Sequence, residues 1–294
     1  MKWDDNGPSQ DLEDRRGESS GRGGGFRLGG GKMGIGGILV LLVLSIVFKT
    51  DLTGALGGGG GAPLPGAGAE PEQGVSAPPV QTSAEEEQLV KFVSFVLDDA
   101  QANWTKVFAD GNAQYTRARL VLFRDQVNTG CGGAQSASGP FYCPADQKVY
   151  IDLGFYEELR KRFGAPGDFA QAYVLAHEIG HHVQNLLGTE RKMRQLQAQN
   201  PGARNELSVR LELQADCYAG IWGKHAQQDG RLDSGDVDEA LKAASAVGDD
   251  RISEITRSSI RPESFTHGSA AQRMTWFRRG FDTGRIDACD SFSR

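Results

Sequence analysis

Between Ala176 and Gln184 the chain reads AHEIGHHVQ, three histidines and a glutamate in an otherwise apolar stretch. Only five histidines occur in 294 residues, so this grouping carries chemical content. His177 and His181 are four apart, which on a helix puts both on one face, one turn apart. Two imidazoles so spaced can bind one zinc ion at about 2.0–2.1 Å each. Glu178 lies beside the first histidine, where its carboxylate can reach a water instead of the metal. The pattern is H-E-x-x-H, with the glutamate as general base. Tyr173, Val174, Leu175, Ala176, Ile179 and Val183 make the helix apolar. Unpaired polar groups buried there would be costly, and a metal offsets that cost by taking their lone pairs.

A catalytic zinc needs a third protein ligand and an open position for water. The H-E-x-x-H-x-x-G-x-x-H pattern would supply a third histidine, but Gln184 and Leu187 occupy its last two defining positions. RLELQADCYAG (210–220) offers Glu212 instead, giving a His₂Glu site with one zinc per chain. Asp216, one turn on, can accept the free ring N–H of a ligating histidine and fix its tautomer. Glu190, Glu206 and Glu239 stand in less apolar settings. A di-iron site would need a second E-x-x-H, and Ile179, Trp222 and Ser264 precede the remaining histidines by three. Of those histidines, His182 points away from the pair and reads as structural, and His225 lies on the outer part of a helix with no partner in view.

The elements that must position these residues are mixed. Ser83 followed by Glu86 is a capping-box pattern, and Leu89, Phe92, Val93, Val96 and Leu97 then recur at helical spacing. ARLVLFRD (118–125) and KVYIDL (148–153) read as strands. The second alternates, with Val149, Ile151 and Leu153 on one face and Lys148, Tyr150 and Asp152 on the other. Helical patterns follow over roughly 154–163, 167–187, 204–228, 235–247 and 268–281. The fold class is α+β with helices dominant and a small sheet, in one domain over 83–294. Strand 148–153 is a candidate for binding an extended peptide by β-augmentation.

Ahead of that domain the composition changes. Residues 1–32 are polar and glycine-rich, and are expected to be disordered. Met33–Phe48 is an uncharged apolar run flanked by Lys32 and Lys49, expected to be a retained membrane anchor. Arg15, Arg16, Arg22, Arg27 and Lys32 precede it, so the positive-inside rule keeps the N-terminus cytoplasmic and places the domain outside, in the periplasm or extracellular space. Residues 49–82 form a Gly/Pro/Ala linker. A net charge of −6 argues against nucleic acid as a partner. Four cysteines, at 131, 143, 217 and 289, suit an exported domain with two disulfides among three possible connectivities.

Several stretches together resemble the neutral zinc metallopeptidase family of bacterial membrane-anchored proteins. They are MKWDDNGPSQDLEDRRG, GPFYCPADQKVYIDLGFYEEL (139–159), AHEIGHHVQ, ELQADCYAG (212–220) and FTHGSAAQRMTWFRRGF (265–281). The resemblance implies a zinc-dependent, zincin-like endopeptidase acting on polypeptides, anchored by one N-terminal helix. The looser pattern H-E-x-x-H … E-x-x-A-D also looks like gluzincin membrane peptidases of the HtpX and CAAX-protease type. In those the glutamate matching Glu212 is the third ligand. They carry a downstream T-H-P with an arginine six residues after its histidine, matched here by Thr266, His267 and Arg273, with Gly268 in place of the proline. This casts His267 as an oxyanion-stabilising group and Arg273 as a structural or substrate-binding partner; a histidine capping a helix start is the other reading. The expected disulfides are Cys131–Cys143 and Cys217–Cys289. The rival function is a non-catalytic envelope protein for binding or assembly with a structural zinc.

Overall fold

The computed structural model describes residues 1–18, 82–136, 139–256 and 261–293. Among them a mixed four-stranded sheet is formed by β1 (Leu12–Asp14), β2 (Arg119–Phe123), β5 (Phe141–Cys143) and β6 (Lys148–Asp152), in the order β1-β2-β6-β5. β1, β2 and β6 are parallel, and β5 runs antiparallel to β6 at the edge. The hairpin of β3 (Gln126–Thr129) and β4 (Gly132–Gln135) forms a separate two-stranded sheet.

Alternation along β6 divides the apolar residues between two faces. Val149, Ile151 and Leu153 join the main core with Leu120 and Leu122, against the helices. Tyr150, expected on the polar face, is 1 % exposed, because a second cluster of Val121, Phe123, Val127 and Cys143 covers that face. Its hydroxyl donates to Asp146 at 2.7 Å, which satisfies the buried oxygen. The Cys131–Cys143 disulfide fastens the hairpin turn to β5.

The helices are α1 (Ala84–Asp110), α2 (Gly154–Lys161), α3 (Asp168–Leu186), α4 (Thr189–Gln199), α5 (Arg204–Gln228), α6 (Asp236–Ala246), α7 (Asp249–Thr256) and α8 (Ala270–Thr283). Ser83 caps α1 by accepting the Glu86 N–H at 3.1 Å, while the Glu86 carboxylate turns to Arg16 and Arg124. Helix α3 is apolar almost all round because neighbours surround it: α5 and α6, and α1, β5 and β6. Helices α5 and α8 approach backbone to backbone through Gly220 and Gly280. A Cβ at Gly220 would overlap the Phe277 carbonyl oxygen, and one at Gly280 the Cys217 carbonyl oxygen. The Cys217–Cys289 disulfide locks the chain after α8 onto α5.

Two expectations change here. Residues 1–18 are not disordered. Leu12, Glu13 and Asp14 pair with Leu120, Val121 and Leu122, extending the sheet past β2. Trp3 meets Phe92 edge-to-face at 5.6 Å between ring centroids, and the buried Arg16 pairs with Asp14 and Glu86. Polar composition hides this strap because its charges are paired, some within the strap and others with the domain. Strand 148–153 also cannot accept a peptide by augmentation, since β6 is hydrogen-bonded on both sides, by β2 and β5. The expected anchor at 33–48 and the linker lie outside the described residues; no described helix is long and apolar enough to cross a membrane.

Candidate metal centre

Helix α3 presents His177 and His181 on one face, and α5 crosses it with Glu212 opposite them. The crossing is close because Gly180 lies against Ala215, whose carbonyl oxygen would be 3.0 Å from any Cβ there. Three ligand atoms converge as a result. His177 Nε2 lies 3.2 Å from His181 Nε2 and 3.2 Å from Glu212 Oε2, and His181 Nε2 lies 3.5 Å from Glu212 Oε1. Ligands bound tetrahedrally at about 2.0–2.1 Å stand roughly 3.3–3.4 Å apart, so these spacings would suit the three residues to hold one zinc ion. Among the described residues no fourth His, Cys, Asp or Glu joins this group.

Partners behind the ligands aim them. Asp216 accepts from His177 Nδ1 at 2.9 Å, which leaves the Nε2 lone pair facing Glu212. Gln184 accepts from His181 Nδ1 at 2.9 Å and fixes that tautomer too. The orientation of this amide is itself set, because its NH₂ donates to the Leu211 carbonyl and to Gln214. Asp216 also accepts from Tyr173 Oη and from Arg273 Nε and Nη2, the last two at 2.8 and 2.9 Å. Arg273 is 4 % exposed and sits behind His177 against Asp216, so it holds the site from behind and is not placed to touch a substrate.

The electrostatics fit a cation. Three buried carboxyl groups, Glu178, Glu212 and Asp216, gather around His177, His181 and the Arg273 guanidinium, a donor set that suits a divalent cation. Burial disfavours charge on His177, yet Asp216 overrides it and lifts its pKa to about 9. Burial would raise Glu212, but His181 and His177 hold its carboxyl well below the usual range. Glu178 goes the other way: burial raises it, against the opposing pull of His177 and His181. A carboxylate raised towards neutrality is suited to exchanging a proton.

His267 sits at the rim, its side chain 40 % exposed, and against the effect of burial Asp249, with Glu212 nearby, raises its pKa. Asp249 accepts the backbone N–H groups of Thr266, His267 and Gly268 at 2.8, 2.7 and 3.0 Å on one oxygen, and lies 3.2 Å from His267 Nδ1 through the other. Gly268 has φ +89°, a conformation closed to proline, which explains the departure from T-H-P. His267 does not cap α8; Ser269 does, in a full capping box with Gln272.

Sequence reasoning missed Gln184, Tyr173 and Asp249. Gln184 stands three residues after His181 and so shares its helix face, a usable signal; Asp249 is distant in sequence and gave none. The weaker acidic candidates are engaged elsewhere: Glu190 with Arg194, Glu206 with Arg210, and Glu239 near Asp168 and Asp236. His182 is buried away from the site, between Tyr142 Oη at 3.0 Å and the Thr116 carbonyl at 2.6 Å. His225 does have a partner, Asp229 at 3.3 Å.

A sequence profile for the family described as "Putative neutral zinc metallopeptidase" matches residues 1–292. The chain belongs to that family. The "Uncharacterized protein YpfJ" of Escherichia coli (strain K12) is 45 % identical over 300 residues, covering 100 % of this chain and 99 % of its own. An uncharacterized protein of Mycobacterium tuberculosis (strain H37Rv) is 48 % identical over 190 residues, covering 61 % of this chain and 64 % of its own. No solved structure matches the chain. The family description names zinc, the metal whose geometry the three ligand atoms suit.

Proposed function

We propose that the protein is a zinc-dependent endopeptidase of zincin-like build, with His177, His181 and Glu212 as the metal ligands. The observation that carries this is the convergence of His177 Nε2, His181 Nε2 and the Glu212 carboxylate, with the two Nε2 atoms 3.2 Å apart and each within 3.2–3.5 Å of a Glu212 oxygen. Three protein ligands leave a position open, as catalytic zinc sites do, whereas a structural site is closed by a fourth. This favours the enzyme over the non-catalytic envelope protein with a structural zinc. When bound, zinc supplies the Lewis acidity that lowers the pKa of water and polarises the scissile carbonyl.

The chain's own residues supply the remaining steps. Glu178 accepts the proton of the attacking water and delivers it to the leaving amine. Asp216 and Gln184 hold the two imidazoles in the tautomers that leave Nε2 free, and Arg273 keeps Asp216 ionised. His267, at the rim, would donate towards an oxyanion. An extended substrate pairs along β5, an edge strand with no second partner among the described residues. Tyr142 on β5 is tied to α3 through His182 and Asn185, so a peptide on this edge runs beside the metal helix. The two disulfides support an oxidising compartment outside the cytoplasm for the domain, with residues 33–48 as its attachment to the membrane.

The test is cleavage of a mixed peptide library by the full chain, read by mass spectrometry, before and after chelation. Cuts that vanish with the chelator and return with stoichiometric zinc are expected. Cleavage indifferent to chelation, or zinc bound without any cleavage of any peptide, would reject the enzyme.

A further inference from the structure

The docked strap conflicts with the expected membrane topology. An anchor crossing at 33–48 would put residues 1–18 on one side of the bilayer and the domain on the other. A hydrocarbon core is about 30 Å thick. The strap is bonded to the domain at contact distance. Arg15 N–H donates to the Leu122 carbonyl at 2.8 Å, and Leu120 N–H to the Asp11 carbonyl at 2.9 Å. Ser9 donates to Asp98 at 2.8 Å, and Lys148 pairs with Glu13 at 2.8 Å.

These contacts build the domain itself. β1 covers the edge of β2, whose Leu120, Val121 and Leu122 are all 0 % exposed. Without it β2 would be an open, apolar sheet edge, a feature folded proteins avoid. Arg16 is 6 % exposed and shares Glu86 with Arg124 of the domain, so the strap's guanidinium is built into an ion-pair network of the domain.

The charges that pointed to a cytoplasmic N-terminus are also partly spent in the fold. Of the six basic residues ahead of the apolar run, Arg16 is buried in ion pairs, Arg15 pairs with Glu18 and Lys2 lies 3.8 Å from Asp233. The run itself is sixteen residues, Met33 to Phe48. As a helix that is about 24 Å, shorter than the core it would have to span. On either side, residues 19–32 and 49–82 supply ample length for both ends to return to one surface.

We propose that residues 33–48 do not cross the bilayer, and that residues 1–18 and 83–294 lie on the same side of it. The N-terminal strap is then the first strand of the domain.

The test uses the full chain in its native membrane with one added thiol, Gln10→Cys on the strap or Gln195→Cys on α4; both positions are exposed. Intact cells with a permeable outer layer are treated with a membrane-impermeant maleimide, then again after the inner membrane is opened. Melting curves matching the parent confirm that each variant folds. The two thiols are expected to fall in the same class. Both reactive before opening supports the proposal and an exported domain. Both reactive only after opening supports the proposal and moves the domain inside. One thiol reactive before opening and the other only after it overturns the proposal. Zinc and cleavage play no part in this readout, so it stands or falls separately from the proposed activity.

Discussion

Replacing Asp216 by Asn keeps shape and removes charge at the point where metal support and helix packing meet. Asp216 is 0 % exposed and accepts from Arg273 twice, from His177 Nδ1 and from Tyr173. An amide offers one acceptor oxygen and turns an NH₂ towards donors, leaving Arg273 charged and uncompensated at 4 % exposure. Breaking one side of a buried pair costs roughly 3–5 kcal/mol. Loss of a carboxylate behind a ligating histidine weakens metal binding by about 10–100-fold. Urea unfolding of the zinc-free protein reads the first, and competition with a chromophoric chelator reads the second. Adding Arg273→Met removes the stranded charge, so the double variant should recover most of the stability and none of the zinc affinity. A single variant within about 1 kcal/mol of the parent would refute the claim that this pair holds the site.

Gly280→Ala should destabilise by more than the usual ~1–3 kcal/mol of overpacking, because its Cβ meets the Cys217 backbone oxygen on α5, which no rotamer relieves; an unchanged melting temperature would contradict the close approach. Gln184→Ala should weaken zinc binding about tenfold by freeing the His181 tautomer, and should lower stability by about 1–3 kcal/mol because the partly buried Leu211 carbonyl loses its donor; chelator competition on the folded variant decides the first. The strap should detach in acid. Asp14 and Glu86 have folded pKa values below their ordinary 3.8 and 4.5, held down by Arg16 and, for Glu86, by Arg124 against burial. Their contribution is full above those ordinary values and is lost as pH falls through the lowered ones. Amide-exchange protection of residues 12–14 should therefore fall ahead of α3 below about pH 4. Protection that persists at pH 3 alongside α3 would contradict it.

The convergence of His177, His181 and Glu212 was legible because helical spacing fixes which side chains share a face, and an apolar helix makes polar exceptions visible. The same reasoning found Asp216 one turn beyond Glu212. It failed where partners come from far along the chain. Nothing near Asp249 signals that its carboxylate will gather the N–H groups of 266–268. Five helices were visible in outline after residue 153 through their apolar period. α4 escaped because TERKMRQLQAQ buries only Met193, leaving no stripe to read. α7 escaped for a similar reason, burying only Asp249. The strap misled most. A segment rich in charge and glycine reads as disordered when its partners, such as Glu86, Asp98 and Arg117, lie beyond an intervening low-complexity stretch.

The most direct test of the account replaces Glu178 by Gln in the full chain, loads parent and variant with zinc, and compares peptide cleavage at equal metal content. The account predicts one zinc in each protein and turnover in the parent alone, since the amide keeps the helix and the ligands but cannot accept the water's proton. Equal cleavage by both proteins would contradict the assignment of Glu178 as base. Failure of the variant to bind zinc would instead show that Glu178 belongs among the ligands, and the site would have to be redrawn.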